Sequence, residues 1–562
     1  MSLTLLALAG AAPIALVFVL LVGVRWSAAR AMGAGWFLAS ALGLALWRME
    51  TAWWAAAAVY GALQALQIIL IVFGAILLMN HVQRSGAITT IRWHFTRITK
   101  DARVQLLLIG LGFVTLMEGA AGFGTPGALA APLLIGLGFP PLAGAVFGLF
   151  FNAPQPPFGA AGTPVIGGVG AVIDEGVLGP EMTVPEFLDA VTGHTAIVTG
   201  SSMAFWGLVA VFLLTYWFGR EEERSLRGAV RSTAEVMPLA FFLGAVTGLT
   251  QFVVAWFLGP ELPNMASGFL VLGVGIFAVR RGFLLPKRAW SFPPRDFWLK
   301  SWLGLRGSAP PKDKAGKEMP VILAWAPYLL VLLVLMVTRW PGLGMADWLR
   351  ERTLDTDRIL GQDLSFSLEY LYSPGVLPFI PVALLTAVMH RMSRAEVAVV
   401  WSTSLRQIVS PAVTLIVAVS MTQVIIQSAT NTIGEPGMMQ ALSRVVASGV
   451  GSALPSVAPL IGMLGSFMTG SNTSSNVLFS VLQHDAALDV GVSATIVVAL
   501  QNAGGGIGNL VSVLNVAAIC GVIRMSGMES EILRKLIVPA LFLAVFAGAL
   551  GLLMVRFGPV LY

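Results

Sequence analysis

Apolar residues run through this chain in long blocks separated by short polar or charged clusters. A block of about 20 apolar residues makes a helix long enough to cross the roughly 30 Å hydrocarbon core of a bilayer. The blocks predict helices near residues 3–24, 32–47, 52–79, 192–218, 236–258, 264–279, 320–338, 371–389, 405–428 and 536–556. Two further regions are apolar but interrupted. Val104 to Met117 and Pro126 to Phe139 each supply about 14 residues, roughly 21 Å of helix, too short to span alone. They flank EGAAGFGT (118–125), which predicts a re-entrant hairpin over about 104–139 with that segment at its tip. Residues 141–173 read as one span split by APQPPFGAAGT. The second region repeats the scheme, with a hairpin over about 453–484 and a split span over about 491–523.

The order of these elements is itself a pattern. Residues 1–218 run three spans, hairpin, split span, span, and residues 320–562 run the same order from the opposite side. That predicts an all-α polytopic membrane protein of about 12 transmembrane helices plus two re-entrant hairpins, arranged as inverted repeats with two discontinuous helices. Residues 219–319 are then a connector of two helices and a basic loop that includes GSAPPKDKAGKE.

Composition agrees: 57% of the 562 residues are hydrophobic and 11% charged, against about 25% charged in soluble domains. With both termini outside, the inner loops hold 27 of the 34 lysines and arginines, as the positive-inside rule requires. The formal charge of +6 is therefore a topological signal, and no nucleic-acid partner is expected. The stretch 81–103 mixes five basic residues with apolar ones and reads as an amphipathic surface helix. The N-terminal apolar run lacks a basic n-region and reads as a first span, not a signal peptide. A single cysteine, Cys520, rules out an intrachain disulfide.

Candidate chemistry gathers at the breaks. Thr125-Pro126 and Thr163-Pro164 each place a capping residue before a proline at a helix start. Ser471, Asn472, Thr473 and Ser474 offer the same at the second hairpin, and Gly508-Asn509 at the second split span. Four helix N-termini near the membrane midplane, with Gly122 and Gly124 allowing close approach, would hold a carboxylate through backbone N–H groups. No lysine or arginine is expected deep in a span. Asn152, Gln155, Asn476, Gln501, Asn502 and Asn509 add amides that can serve both the carboxylate and the hydroxyl of a 2-hydroxy acid. Glu118 stands alone among 28 acids in lying deep in an apolar segment. A carboxyl there can take a proton near neutral pH, which makes it the candidate proton carrier. His194 reads as interfacial; His81, His94, His390 and His484 read as loop residues.

EGAAGFGTP (118–126), FGAAGTP (158–164), GSFMTGSNTSSNVLF (465–479) and the glycine run 504–508 resemble matching segments of the lactate permease family, over nearly the whole chain. The resemblance implies proton-coupled uptake of lactate or glycolate across a bacterial cytoplasmic membrane. The hairpins also look like those of the broader ion transporter superfamily, whose Ser-Asn-Thr tips bind sodium in some members; Ser471, Asn472 and Thr473 match such a tip. The chain departs from the family pattern at two charged positions, having Asn472 for an acid and Asn509 for a lysine.

The reading is a secondary active transporter of a small organic anion, without cofactor, and compatible with an oligomer. The alternative is a sodium-coupled carrier of another small anion. A channel would need no deep acid, and no cluster suited to enzymatic chemistry converges within the spans.

Overall fold

A computed structural model describes residues 1–95, 97–122, 124–304 and 319–557. The linker segment GSAPPKDKAGKE lies outside the described residues. Among those described, eleven helices are long and apolar enough to cross a membrane. In chain order the helices are α1 Leu3–Gly23, α2 Ala28–Ala45, α3 Thr51–Arg84, α4 Ala87–Phe95, α5 Ala102–Ala121, α6 Thr125–Gly136 and α7 Pro141–Phe150. A broken stretch over 151–173 includes a helical turn at Pro164–Val169. There follow α8 Val184–Phe218, α9 Leu226–Leu258, α10 Pro263–Arg281, α11 Val321–Arg339, α12 Gly375–Met389 and α13 Arg394–Gln427. The chain closes with α14 Met438–Val450, α15 Leu454–Thr469, α16 Asn472–Val490, α17 Ala494–Gly508, α18 Val513–Val522 and α19 Glu529–Phe557. A short antiparallel pair, β1 Leu354–Thr356 with β2 Phe366–Leu368, sits between α11 and α12.

Most helices run past their apolar blocks because polar residues outside the hydrocarbon continue or cap them. Thr183 and Ser393 each form a capping box, with Glu186 and Glu396, which starts α8 and α13 well before the apolar run. In α5 the backbone ladder continues through Glu118 to Gly122, whose N–H donates to Glu118 O at 3.0 Å. The helix is thus 20 residues long, and shortness no longer argues for a hairpin there. The helix α14 was not expected; Gln440, Ser443 and Arg444 dilute its apolar signal.

Burial separates the centre from the lipid-facing shell. Every residue of α7 and almost all of α5 is buried. By contrast α9 exposes Phe241, Leu249 and Phe257, the expected outcome for a helix whose outer face meets acyl chains. The long helices pack as pairs, α8 with α9 and α3 with α13, and α8 also packs on α17 and α13 on α16. Close backbone approach fits glycine: a Cβ on Gly504 or Gly508 would fall into the backbone of α15 at Pro459 or Met463.

Two groups of buried charges sit at helix ends. Arg103 is fully buried and donates to Asp101 at 2.8 Å, to Glu235 at 3.0 Å and to the Ser232 carbonyl at 2.7 Å. Arg339 pairs with Glu261 at 2.7 Å, and both side chains are 2% exposed. Glu118 is therefore not the one deeply buried acid, and buried cations exist where an acid neutralises them. The histidine expectations change as well. His81, His194, His390 and His484 are all buried, because helix extension and packing carry them inside.

Candidate functional site

The breaks in the chain meet. A cavity with about 260 Å³ of space outside the atoms is lined by Glu118, Gly122, Pro156, Gly159, Ala160, Thr163, Pro164, Gly470, Ser471, Asn472, Thr473 and Asn509. Residues 118–122 and 470–473 thus line one space, part of it open to the surroundings, despite some 350 positions between them. No lysine or arginine is among its lining residues.

Each wall has a local cause. Gly122 leaves α5 with φ of 58° and ψ of −158°, a conformation that suits glycine. A Cβ added there would stand 2.9 Å from that of Ala160, so the first break packs directly on the second. Ala160, Ala161 and Gly162 form a left-handed turn with φ of 42°, 48° and 75°. Two alanines in that region cost energy; Pro156 and Pro157 before the turn and Pro164 after it fix the chain around it. Gly159 lies against the Glu118 carboxyl and leaves no room for a side chain.

On the far wall Ser471 caps α16 by accepting from Ser474 N–H at 3.3 Å. A helix leaves its first N–H groups without intrahelical partners, so those of Asn472 and Thr473 stand at the cavity with the positive end of the helix dipole. Asn502 Oδ1 accepts from Asn472 Nδ2 at 2.9 Å and Asn476 Nδ2 at 2.8 Å. Asn476 also donates to Pro164 O, tying α16 to the first split region. Glu118 Oε2, Asn472 Oδ1 and Asn509 Oδ1 are buried without a hydrogen-bond partner among the described residues. Buried polar atoms are normally satisfied, and three unpaired acceptors on one cavity make it the candidate site.

Seven of the expected residues line this space: Glu118, Gly122, Thr163, Ser471, Asn472, Thr473 and Asn509. Others support it. Gly124, with φ of 74°, is itself the N-cap of α6, and Thr125 is the first helical residue. Thr163 donates its hydroxyl to Ala160 O, so it is not a cap acceptor. Asn509 follows the last residue of α17, and the next helix begins at Val513 with Ser512 as cap, four positions later than expected. Gln155 and Asn152 do not line the cavity: Gln155 Oε1 accepts from Gln251 at 2.8 Å and its carbonyl accepts from Asn264 at 2.8 Å. Gln501 is occupied by Ser475 and Gln483.

One residue escaped the sequence reading. Asn515, in the first turn of α18, donates to Gly470 O and Asn509 O, both at 3.4 Å. Its Oδ1 would be 3.2 Å from a Cβ on Gly124. It bonds Gly470 and Asn509 and lies beside Gly124. The signal was a lone amide in VSVLNVAAICGV.

The family model described as L-lactate permease matches residues 6–558. This chain belongs to that family. Relatives include a putative L-lactate permease of Haemophilus influenzae, 29% identical over 505 residues and covering 86% of each chain. The glycolate permease of Escherichia coli is 29% identical over 531 residues, covering 89% of this chain and 86% of its own. The L-lactate permease of Bacillus subtilis is 29% identical over 523 residues, covering 86% and 84%. The YdaH transporter of Alcanivorax borkumensis aligns over 89% of this chain and 87% of its own at 13% identity, with a TM-score of 0.47, too distant to carry an argument. Membership and the eleven apolar helices make this a multi-pass membrane permease.

Proposed function

We propose that this permease takes up a small monocarboxylate, a 2-hydroxy acid such as lactate or glycolate, together with protons. The observation that carries the reading is Glu118, buried and without a cationic partner in the cavity that also holds the start of α16. A carboxylate substrate would lie on the N–H groups of Asn472 and Thr473, and Thr163 and Asn509 complete its surroundings. Two carboxylates in so small a space repel strongly unless one is neutralised. A proton on Glu118 and substrate binding therefore favour one another, which is the linkage that symport needs.

The architecture that supports this function is also our proposal. Residues 1–218 and 320–562 form two inverted repeats joined by 219–319, with re-entrant hairpins over about 104–139 and 453–484 and both termini outside. Alternating access would rock the hairpins and split helices against the long outer helices.

Purified protein in liposomes tests the function. An imposed gradient, acidic outside, drives accumulation of labelled lactate by the wild type. Glu118→Gln abolishes pH-driven accumulation yet retains lactate exchange at equal pH. Undiminished pH-driven accumulation by Glu118→Gln removes the role of Glu118. Accumulation that requires sodium and ignores the pH gradient replaces the proton by sodium, with Ser471, Asn472 and Thr473 as its site.

A further inference from the structure

A second concave surface, which shares no lining residue with the cavity, lies between the end of α4, the stretch of α10 from Phe269 to Arg280 and the start of α11. It holds about 1280 Å³ of space outside the atoms, part of it open to the surroundings. Its wall is apolar: Ile91 and Phe95 from α4, Phe269 and Ile276 from α10, and Ile322 and Trp325 from α11 are among its lining residues. Its rim is cationic. Arg97 and Arg280 line it, with His94 beside them, and no acid is among the lining residues. Both arginines are exposed, and neither has an acidic partner within ion-pair distance among the described residues. The Arg97 guanidinium lies over the Trp93 ring at 3.6 Å from its centroid, which holds it at the rim.

We infer that this groove binds an anionic phospholipid, its phosphate between Arg97 and Arg280 and an acyl chain along the α10–α11 wall. Three features on one surface decide the occupant. The groove opens on helices whose outer faces meet lipid, as the exposed Phe277, Ile322 and Leu329 show. Its charged end coincides with the helix ends, where headgroups lie. Its charge complements a phosphodiester: two guanidiniums offer forked donors suited to phosphate oxygens, and basic pockets between membrane helices suit anionic headgroups. An anionic phospholipid is the occupant that supplies an acyl chain for the wall and a phosphate for the rim in one molecule at the depth of the helix ends.

Brominated lipids, which quench nearby indoles, test this in vesicles of phosphatidylcholine containing one fifth phosphatidylglycerol. Trp325 lines the groove and Trp93 stacks on the Arg97 guanidinium, and the contribution of the site is the quenching lost in Trp93→Phe/Trp325→Phe. At equal mole fraction, brominated phosphatidylglycerol should quench that contribution several-fold more than brominated phosphatidylcholine. The difference should disappear in Arg97→Gln/Arg280→Gln, whose side chains are exposed and whose folding is checked by size-exclusion chromatography. Equal quenching by the two lipids, a preference that survives the double arginine variant, or quenching by neither because a linker segment or a second copy fills the groove each overturns the inference. The readout uses no transport assay, so it stands or falls apart from the proton-coupled reading.

Discussion

Removing Arg339 should destabilise the fold far more than removing the whole buried pair. Arg339 Nε donates to Glu261 Oε1 at 2.7 Å, and both side chains are 2% exposed. The guanidinium also donates to Tyr372 O and lies over the Tyr372 ring, 3.6 Å from its centroid. Arg339→Met takes from the Glu261 carboxylate its hydrogen-bonded partner and leaves only the more distant Arg350 to offset its charge, a loss of about 3–5 kcal/mol when one partner of a buried pair is taken away. Glu261→Leu should cost less, about 1.5–3 kcal/mol for a lost charged hydrogen bond, because the cation keeps the carbonyl and the ring. The double variant should lie within about 1–2 kcal/mol of wild type, since apolar replacement of a buried pair is often near neutral. The single losses then do not add, and the coupling is about 5 kcal/mol from the midpoints of these ranges. Chemical unfolding in detergent, followed by tryptophan fluorescence, measures all four proteins. A double variant that loses the sum of the singles, or an Arg339→Met that loses less than about 1 kcal/mol, refutes the reasoning. Beside Glu261, the Pro260 backbone lies 2.8 Å from where a Cβ on Gly162 would stand, so Arg339→Met should also weaken lactate binding.

Three further outcomes follow from particular contacts. Gly505→Ala would drive a methyl into the Asn472 side-chain oxygen, costing about 1–3 kcal/mol of packing and lowering lactate affinity at least tenfold in a binding titration. Gly521→Ala, with nothing near the added methyl, is the matched control and should bind normally. Asn515→Leu removes the link among Gly470, Asn509 and Gly124; transport in liposomes should fall at least tenfold with expression unchanged, and wild-type flux would dismiss the link. His390 is buried, with Nδ1 on Ser85 and Nε2 on Leu323 O, and burial holds its pKa below the ordinary histidine value. The folded chain keeps it neutral while the unfolded chain takes up a proton as pH falls through about 6.5. Its contribution is therefore present above that pH and lost below it. His390→Gln should flatten the acid side of a stability–pH curve between pH 5 and 7.

The breaks were legible because they violate the pattern around them. EGAAGFGTP, FGAAGTP and SNTSS put glycine, proline and hydroxyls where lipid favours leucine, and those segments do converge on the cavity. Side-chain direction was not legible. Gln155 stands next to a lining residue yet pairs with Gln251, and Gln501 on α17 is taken by Ser475 and Gln483, since side-chain direction is set by packing partners that no motif names. Asn515 was overlooked because one amide in an apolar helix carries no spacing signal. Glu261 was overlooked because an acid in a five-residue turn reads as solvated, whereas the turn is folded inward against Gly162 and Arg339. Helix ends were misplaced for a simpler reason: hydropathy ends where the hydrocarbon ends, and hydrogen-bonded caps such as Thr183 and Ser393 lie beyond it.

The placement of Asn515 has a mechanical consequence. One short side chain bonds the carbonyls of Gly470 and Asn509 and lies beside Gly124, so it links the start of α18 to segments far apart in sequence. A displacement of Gly470 away from Asn509 would break at least one of these bonds, so the two backbone segments are held to one another through a single amide.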